Sequence, residues 1–262
     1  MADQKIMRDL VSIITPSYNT AGYISETIRS VQAQTYANWE MIIVDDCSTD
    51  DTDAVIAQYI VADSRIRYIK NEVNLGAALS RNRALREARG RWIAFLDSDD
   101  LWMPDKLDKQ VKFMEETGSK FSYTCYSEMD ANGDDTGVVV SGPKKITKIG
   151  MFAFCWPGCL TVMYDASFAG LIQIGDIKKN NDYAMWLNVC CKADCCLLPE
   201  NLGKYRRGRI GSVSTHSIFT MMKWHYKLFK DAEQMGIISS ALLTCLNMIC
   251  GFYKKLKYVN RI

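Results

Sequence analysis

The chain has 262 residues, 48% of them apolar, which suffices for one large domain or for one domain with a C-terminal appendage. Its formal charge of +2 excludes a dedicated nucleic-acid binder, because a surface that tracks phosphates shows as a strong basic excess. Residues 1–10 carry Asp3, Lys5, Arg8 and Asp9 and form no secretion leader, so the ten cysteines are expected to be reduced, buried small hydrophobes of a cytosolic protein.

The first half alternates two periodicities. Residues 11–15 are a short β-branched run, and residues 23–34 follow with Ile24, Ile28 and Val31 at helical spacing. Residues 39–44 form the next apolar run, 52–61 the next helical stretch, 66–69 a third strand and 77–88 a third helix, before the run 92–96 closes the series. Such alternation predicts an α/β fold of parallel strands joined by right-handed helical crossovers, with helices on both faces of the sheet.

From Leu101 the pattern loosens. Pro104 stands where a helix can begin, 107–116 is helical in pattern, and 121–126 is strand-like. Asn132-Gly133-Asp134-Asp135 is a turn signal, so 121–140 predicts a hairpin or meander that adds antiparallel strands. Residues 234–253 carry no charge and are followed at once by Lys254, Lys255 and Lys257. Length permits a membrane span, while Ser239, Ser240, Thr244, Asn247 and Gly251 dilute the apolar character. Three readings stand open: a helix packed on the domain, one lying in a membrane interface, and one that crosses.

An open α/β sheet keeps its ligands at the C-terminal ends of its strands. Thr15-Pro16-Ser17-Tyr18-Asn19 follows the first strand, Asp45-Asp46 the second, and Asp97-Ser98-Asp99-Asp100 the fourth. Clustered carboxylates there call for a cation, and the simplest client is a metal-bound diphosphate. Tyr18 is a candidate to stack on a nucleobase, Asp46 to accept from a uracil-type N–H, Asp97 to receive ribose hydroxyls, and Asp99 to bind a divalent cation, Mn2+ or Mg2+. Zinc is not expected: Cys190-Cys191, Cys195-Cys196, Cys155 and Cys159 contain no C-x2-C pair, and the two histidines, His216 and His225, lie further on.

These motifs, with Val44-Asp45-Asp46-Cys47-Ser48-Thr49-Asp50 and Asn74-Leu75-Gly76 between them, occur in the order seen in family 2 glycosyltransferases. The chain resembles that family closely over residues 10–105 and more loosely from Asp182 to Ser214. The resemblance implies a GT-A fold: a Rossmann-like, mostly parallel sheet flanked by helices, with a C-terminal helical extension. The catalytic domain would occupy 1–215, with a nucleotide-sugar half at about 10–105 and an acceptor half at about 106–215. Residues 216–262 would form a C-terminal helical segment, for which the three readings given above, membrane association among them, stay open.

The resemblance further implies that Pro16, Tyr18 and Asp46 contact the nucleotide, that Arg81 approaches the phosphates, and that Asp97 and Asp99 form the ribose and metal site. Asn181-Asp182-Tyr183-Ala184-Met185-Trp186-Leu187 is similar to the family's acidic pair and the apolar run after it. Asp182 stands where the catalytic base sits, and Asn181 where a glutamate is usual. Losing that neighbouring charge predicts a base that titrates lower than in a Glu-Asp pair. Arg206 and Arg209 lie in a basic run, 204–214, that resembles a loop folded over the diphosphate.

The function implied is an inverting, metal-dependent transfer of one sugar from a nucleotide sugar, UDP by resemblance, to a hydroxyl of a lipid-diphosphate-linked saccharide in surface polysaccharide synthesis. The work would be done at the inner face of the cytoplasmic membrane. One residue is expected per encounter, because the chain lacks the Gln-x-x-Arg-Trp motif and multiple spans of polysaccharide synthases. Two rivals remain. A nucleotidyltransferase would bring a Gly-rich loop after the first strand, where Thr15-Pro16-Ser17-Tyr18-Asn19 stands. A non-catalytic nucleotide-sugar binder would keep the fold without the chemistry, against which both aspartates and a candidate base argue. Trp102, Trp156 and Trp186 are candidates either to stack on sugar rings or to fill the core.

Overall fold

A computed structural model of the chain describes residues 6–208 and 217–261. The expected alternation is realised by β1 (Met7–Ser17), α1 (Ile24–Gln32), β2 (Trp39–Asp45), α2 (Thr52–Ala62), β3 (Ile66–Lys70), α3 (Ala77–Glu87) and β4 (Gly90–Phe95). The apolar runs Met41 to Val44 of β2 and Trp92 to Phe95 of β4 have a simple cause, since both faces of these strands are dry there. Ile42, Val44, Ile93 and Phe95 pack on one side with Ala84 and Leu85 of α3. Met41, Ile43, Trp92 and Ala94 pack on the other with Ile24, Ile28 and Val31 of α1.

The second half adds β5 (Leu101–Trp102), α4 (Lys106–Thr117), β6 (Phe121–Met129), β7 (Asp135–Val140), β8 (Lys145–Ile146), α5 (Lys148–Ala153), β9 (Met163–Asp165), α6 (Ala166–Ala169), α7 (Asn181–Cys190) and β10 (Cys195–Arg206). After the undescribed 209–216 come α8 (Ile218–Lys227), a π-helical turn (Leu228–Ala232), α9 (Ile237–Lys257) and β11 (Val259–Arg261). The main path of the sheet runs β11-β7-β6-β9-β4-β1-β2-β3. β1, β2, β3 and β4 pair in parallel, whereas β9 is antiparallel to both β4 and β6. β10 runs parallel to β6 and antiparallel to β5 and β8. The hairpin expected over 121–140 is present as β6 and β7, with Gly133 in the left-handed region at the turn.

α7 lies in the same core layer as α3, contributing Tyr183, Met185, Trp186 and Val189. Trp186 meets Phe95 edge-on at 4.9 Å. Trp102, Trp156 and Trp186 are all buried, so these rings fill the core and offer no platform to a sugar. All ten cysteines are free thiols.

The C-terminal segment is fastened to the rest at more than one point. β11 pairs with β7, Val259 opposite Val140, and Tyr258 accepts from the Ser141 backbone N–H at 2.8 Å. Along α9, Asn247 donates to the Tyr183 hydroxyl at 3.0 Å and Lys254 to the Trp156 carbonyl at 2.7 Å. Gly251 permits this approach, because a Cβ there would stand 3.0 Å from the Phe154 ring.

Candidate active site

The chain passes from β1 outward to β3 and then returns to place β4 on the other side of β1. The strand order therefore reverses between β1 and β4, and a crevice opens at their C-terminal ends. Pro16 near the end of β1 and Tyr18 just after it stand on one side, and Asp97 and Asp99 just after β4 on the other. The cleft encloses about 620 Å³, the size of a typical small-ligand site. Its walls include Pro16, Tyr18, Asp46, Arg81, Asp97, Asp99, Asp182 and Arg206, so one cavity gathers the expected site residues among those described. Arg209 lies outside the described residues, as does His216.

The loops after β1 and β2 hold each other. Asn19, in the left-handed region, accepts from the Thr49 backbone N–H at 2.8 Å and donates its own to Ser48 Oγ at 2.9 Å. Thr20 N–H donates to Thr52 Oγ1 at 2.9 Å. This pinning leaves Tyr18, 46% exposed, standing on the rim. Asp46 organises the next wall: it accepts from Asn71 Nδ2 and Leu75 N, both at 2.8 Å, and from Gly76 N at 2.7 Å. Gly76 has φ +84, a conformation strained for other residues, and it lets the chain turn into α3. A carboxylate offers about four acceptor sites, so Asp46 keeps capacity for one further donor.

Arg81 of α3 ties the two sides of the cleft. Its guanidinium donates to Asp97 Oδ1 at 2.5 Å, to Asn181 Oδ1, and to the Cys159 thiol at 3.5 Å. Burial opposes its charge, but Asp97 and other neighbours hold it protonated above its ordinary range. The residue expected to approach the phosphates lines the cleft and also positions Asp97 and the start of α7. Burial, with the charges of Asp99 and Asp97 next, pushes the Asp100 carboxyl well up. Asp100 Oδ1 accepts from the Arg206 backbone N–H at 2.9 Å, tethering the end of β10 to the aspartate turn.

Arg206 differs from the expected phosphate clamp. Its side chain is 1% exposed and its donors go to Glu26 (2.6 Å), the Asp99 carbonyl (2.9 Å) and the Ala131 carbonyl (3.1 Å). It is a strut within the wall of the cleft. Other cations line the cavity: Lys178, Lys179 and Arg207, with Arg207 half-exposed and paired to Glu128 at 2.7 Å. The basic run 204–214 was the signal for Arg207.

Asp182 occupies the first turn of α7 and reaches the cleft beside Asn181. One oxygen accepts from the Tyr183 backbone N–H at 2.8 Å. Burial raises its carboxyl above the ordinary 3.8, with the Arg81 charge opposing. Asn181 adds no charge to this rise, so the comparison with a Glu-Asp pair stays as an expectation. His225 of α8 also gains a neighbour here, its Nδ1 lying 3.2 Å from Asn180 Nδ2, and burial lowers its imidazole to about 4.

The donor set suits a hard divalent cation. Asp97 and Asp99 offer carboxylate oxygens on one wall, and among the described residues no three His, Cys, Asp or Glu converge into a protein-only cage. Mg2+-like ions are usually held this way, by one or two carboxylates and the substrate's own phosphates.

A cleft at a strand-order switch, lined by paired aspartates and by a half-buried carboxylate at a helix start, is the arrangement of a GT-A glycosyltransferase. The model of glycosyl transferase family 2 matches residues 12–151. Escherichia coli WfaP, a UDP-Glc:alpha-D-GlcNAc-diphosphoundecaprenol beta-1,3-glucosyltransferase, is 39% identical over 238 residues, 91% of each chain. WfgD of Escherichia coli, named for the same reaction, is 43% identical over 180 residues, 69% of each chain. Among solved structures, Staphylococcus aureus TarS 1-349 in complex with UDP-GlcNAc superposes with a TM-score of 0.68 at 20% identity, covering 94% of this chain and 73% of that one. Pyrobaculum calidifontis mannosyltransferase PcManGT, in complex with GDP-Man and Mn2+, gives 0.64 at 17% identity, covering 89% and 69%. The chain belongs to glycosyltransferase family 2.

Proposed function

We propose that the chain transfers one sugar from a UDP-linked donor to a hydroxyl of a lipid-diphosphate-linked saccharide, with inversion, during assembly of a surface polysaccharide. The observation that carries this reading is the single cleft in which Asp97 and Asp99 stand at the end of β4 and Asp182 at the start of α7. WfaP and WfgD, which act on a diphosphoundecaprenol-linked acceptor, support the acceptor class.

In this reading Tyr18 covers the base, Asp46 takes its N–H, and Asp97, braced by Arg81, takes ribose hydroxyls. Asp99 holds a divalent cation, Mn2+ or Mg2+, which when bound offsets charge on the leaving diphosphate. Lys178, Lys179 and Arg207 add positive charge to the cleft, the part first assigned to Arg206. Asp182 takes the proton of the acceptor hydroxyl as the oxygen–carbon bond forms at the anomeric centre. The bond to the diphosphate breaks on the opposite face, and the nucleoside diphosphate leaves with the electron pair.

The test is transfer from UDP-sugars to a diphospholipid-linked saccharide, with and without Mn2+. Product whose formation stops on chelation and returns with Mn2+ is expected. Nucleotide binding without turnover across an acceptor panel would favour a binding module, and pyrophosphate release from a sugar phosphate and a nucleoside triphosphate would favour nucleotidyl transfer.

A further inference from the structure

α9 is inverted relative to an ordinary surface helix, whose apolar stripe faces the core. Its buried positions are Ser240, Thr244 and Asn247. The Ser240 and Thr244 hydroxyls return to carbonyls of the preceding turn, at 2.9 and 2.7 Å, and Asn247 is bonded to Tyr183. Facing outward at spacings of three and four are Ile238, Leu242, Leu246, Ile249, Phe252 and Leu256, from 40% exposed at Leu246 to 77% at Ile238. A contiguous apolar stripe of this kind marks an interaction surface.

Charge and topology select the occupant. Apart from Lys254, which is turned inward to Trp156, residues 217–261 carry Lys223, Lys227, Lys230, Lys255, Lys257 and Arg261 against Asp231 and Glu233, in a chain whose net charge is only +2. Lys255 and Lys257 are exposed at the end of the stripe. An apolar face with a cationic flank complements a bilayer of anionic lipid better than it does an apolar protein surface. Crossing is excluded by connectivity, because β11 returns directly to β7 and the inner face of α9 is bonded to the domain along its length.

We propose that the outer face of α9 docks the protein flat on an anionic lipid surface, with Lys255 and Lys257 at the headgroup phosphates. α8, which packs on α9, carries Met221 into the wall of the cleft. The same helical pair therefore joins the bilayer to the acceptor side of the site. This consequence rests on the lipid-linked acceptor proposed above, whereas the docking does not.

The test mixes the full chain with vesicles of phosphatidylglycerol and phosphatidylcholine, and with phosphatidylcholine alone. Co-sedimentation with the anionic vesicles that declines with added salt is expected. Leu242→Ser, Ile249→Ser and Phe252→Ser together should cut the bound fraction about tenfold or more. Transfer to a water-soluble acceptor should be unchanged, which also verifies folding. Lys255→Gln with Lys257→Gln should weaken binding and flatten its salt dependence. Independently of these variants, a polarity-sensitive dye on the exposed Cys245, in a chain with the exposed Cys191 replaced by serine, should blue-shift on adding anionic vesicles. Wild-type protein that stays in the supernatant with an unshifted dye overturns the proposal. So does a self-associated form, seen by light scattering, that the triple serine variant dissolves while no vesicle binding occurs. Docking without transfer would leave this inference standing and remove the functional reading instead.

Discussion

The two ends of the central strands bury acids in opposite electrostatic states. At the start of β2, Glu40 is 2% exposed and fully engaged. Ser12 Oγ and the Arg89 backbone N–H donate to one oxygen at 2.7 and 2.8 Å, and the Arg89 and Arg67 guanidiniums to the other at 2.8 and 3.2 Å. Burial works to raise this carboxyl, but Ser12, Arg89 and the Arg89 charge hold it below its usual range. At the far end, Asp97, Asp99 and Asp100 share one turn, and Asp100 is pushed well up. An acid whose cations are built in serves the fold. At the crevice Arg81 meets Asp97, yet the neighbouring charges of Asp97 and Asp99 still raise Asp100, so positive charge brought by a ligand would relieve this turn as it could not relieve Glu40.

The sharpest break of that comparison is at the crevice. Asp182→Asn should lower kcat about 10³-fold while leaving the melting temperature unchanged, measured by sugar transfer and calorimetry. Glu40→Ala tests the other end. It should cost about 2 kcal/mol in denaturant unfolding, a figure discounted because Arg89 and Arg67 are partly exposed, and leave kcat per folded molecule intact. The sign with pH follows from the depressed Glu40 carboxyl: its stabilisation is complete above its ordinary 4.5 and is lost as pH falls through the folded value. Glu40→Gln should therefore flatten the acid limb of the stability curve.

A smaller effect is expected at Asn181. With Asp182 as the proposed base, kcat/KM is expected to fall as pH drops through a value already above 3.8. Asn181→Glu places a second acid beside it and should move that limb to higher pH in the pH–rate profile. The smallest effect is expected from Asp100→Asn, which preserves a neutral acceptor for the Arg206 N–H. It should change stability by less than about 1 kcal/mol and kcat by less than about threefold. A large loss there would show that all three aspartates act on the ligand.

The β-α alternation was legible because strands covered on both faces must be apolar throughout, as at Ile42 to Val44, and because helices on them repeat at the spacing of Ile24, Ile28 and Val31. β9 was not legible: three residues carry no period, and Met163 to Asp165 become a strand only because β4 and β6 flank them. The aspartates could be located from strand ends alone. Arg206 was misjudged because its ion partner, Glu26, lies far away in sequence, so a basic run looked available to an anion when this member was already spent. The contact of His225 with Asn180 was likewise hidden, since Asn180 reaches it only through the fold. In α9, Ser240, Thr244 and Asn247 looked like dilution of an apolar helix, whereas they are its buried face.

The central claim is a division of labour in one cleft, with Asp99 serving the donor diphosphate and Asp182 the acceptor. Calorimetric titration of UDP with and without Mn2+ into Asp99→Asn and Asp182→Asn tests it most directly. Asp182→Asn should bind UDP as the wild type does, and Asp99→Asn should lose the gain that Mn2+ confers. An undiminished Mn2+ effect in Asp99→Asn, or its loss in Asp182→Asn, would contradict the assignment.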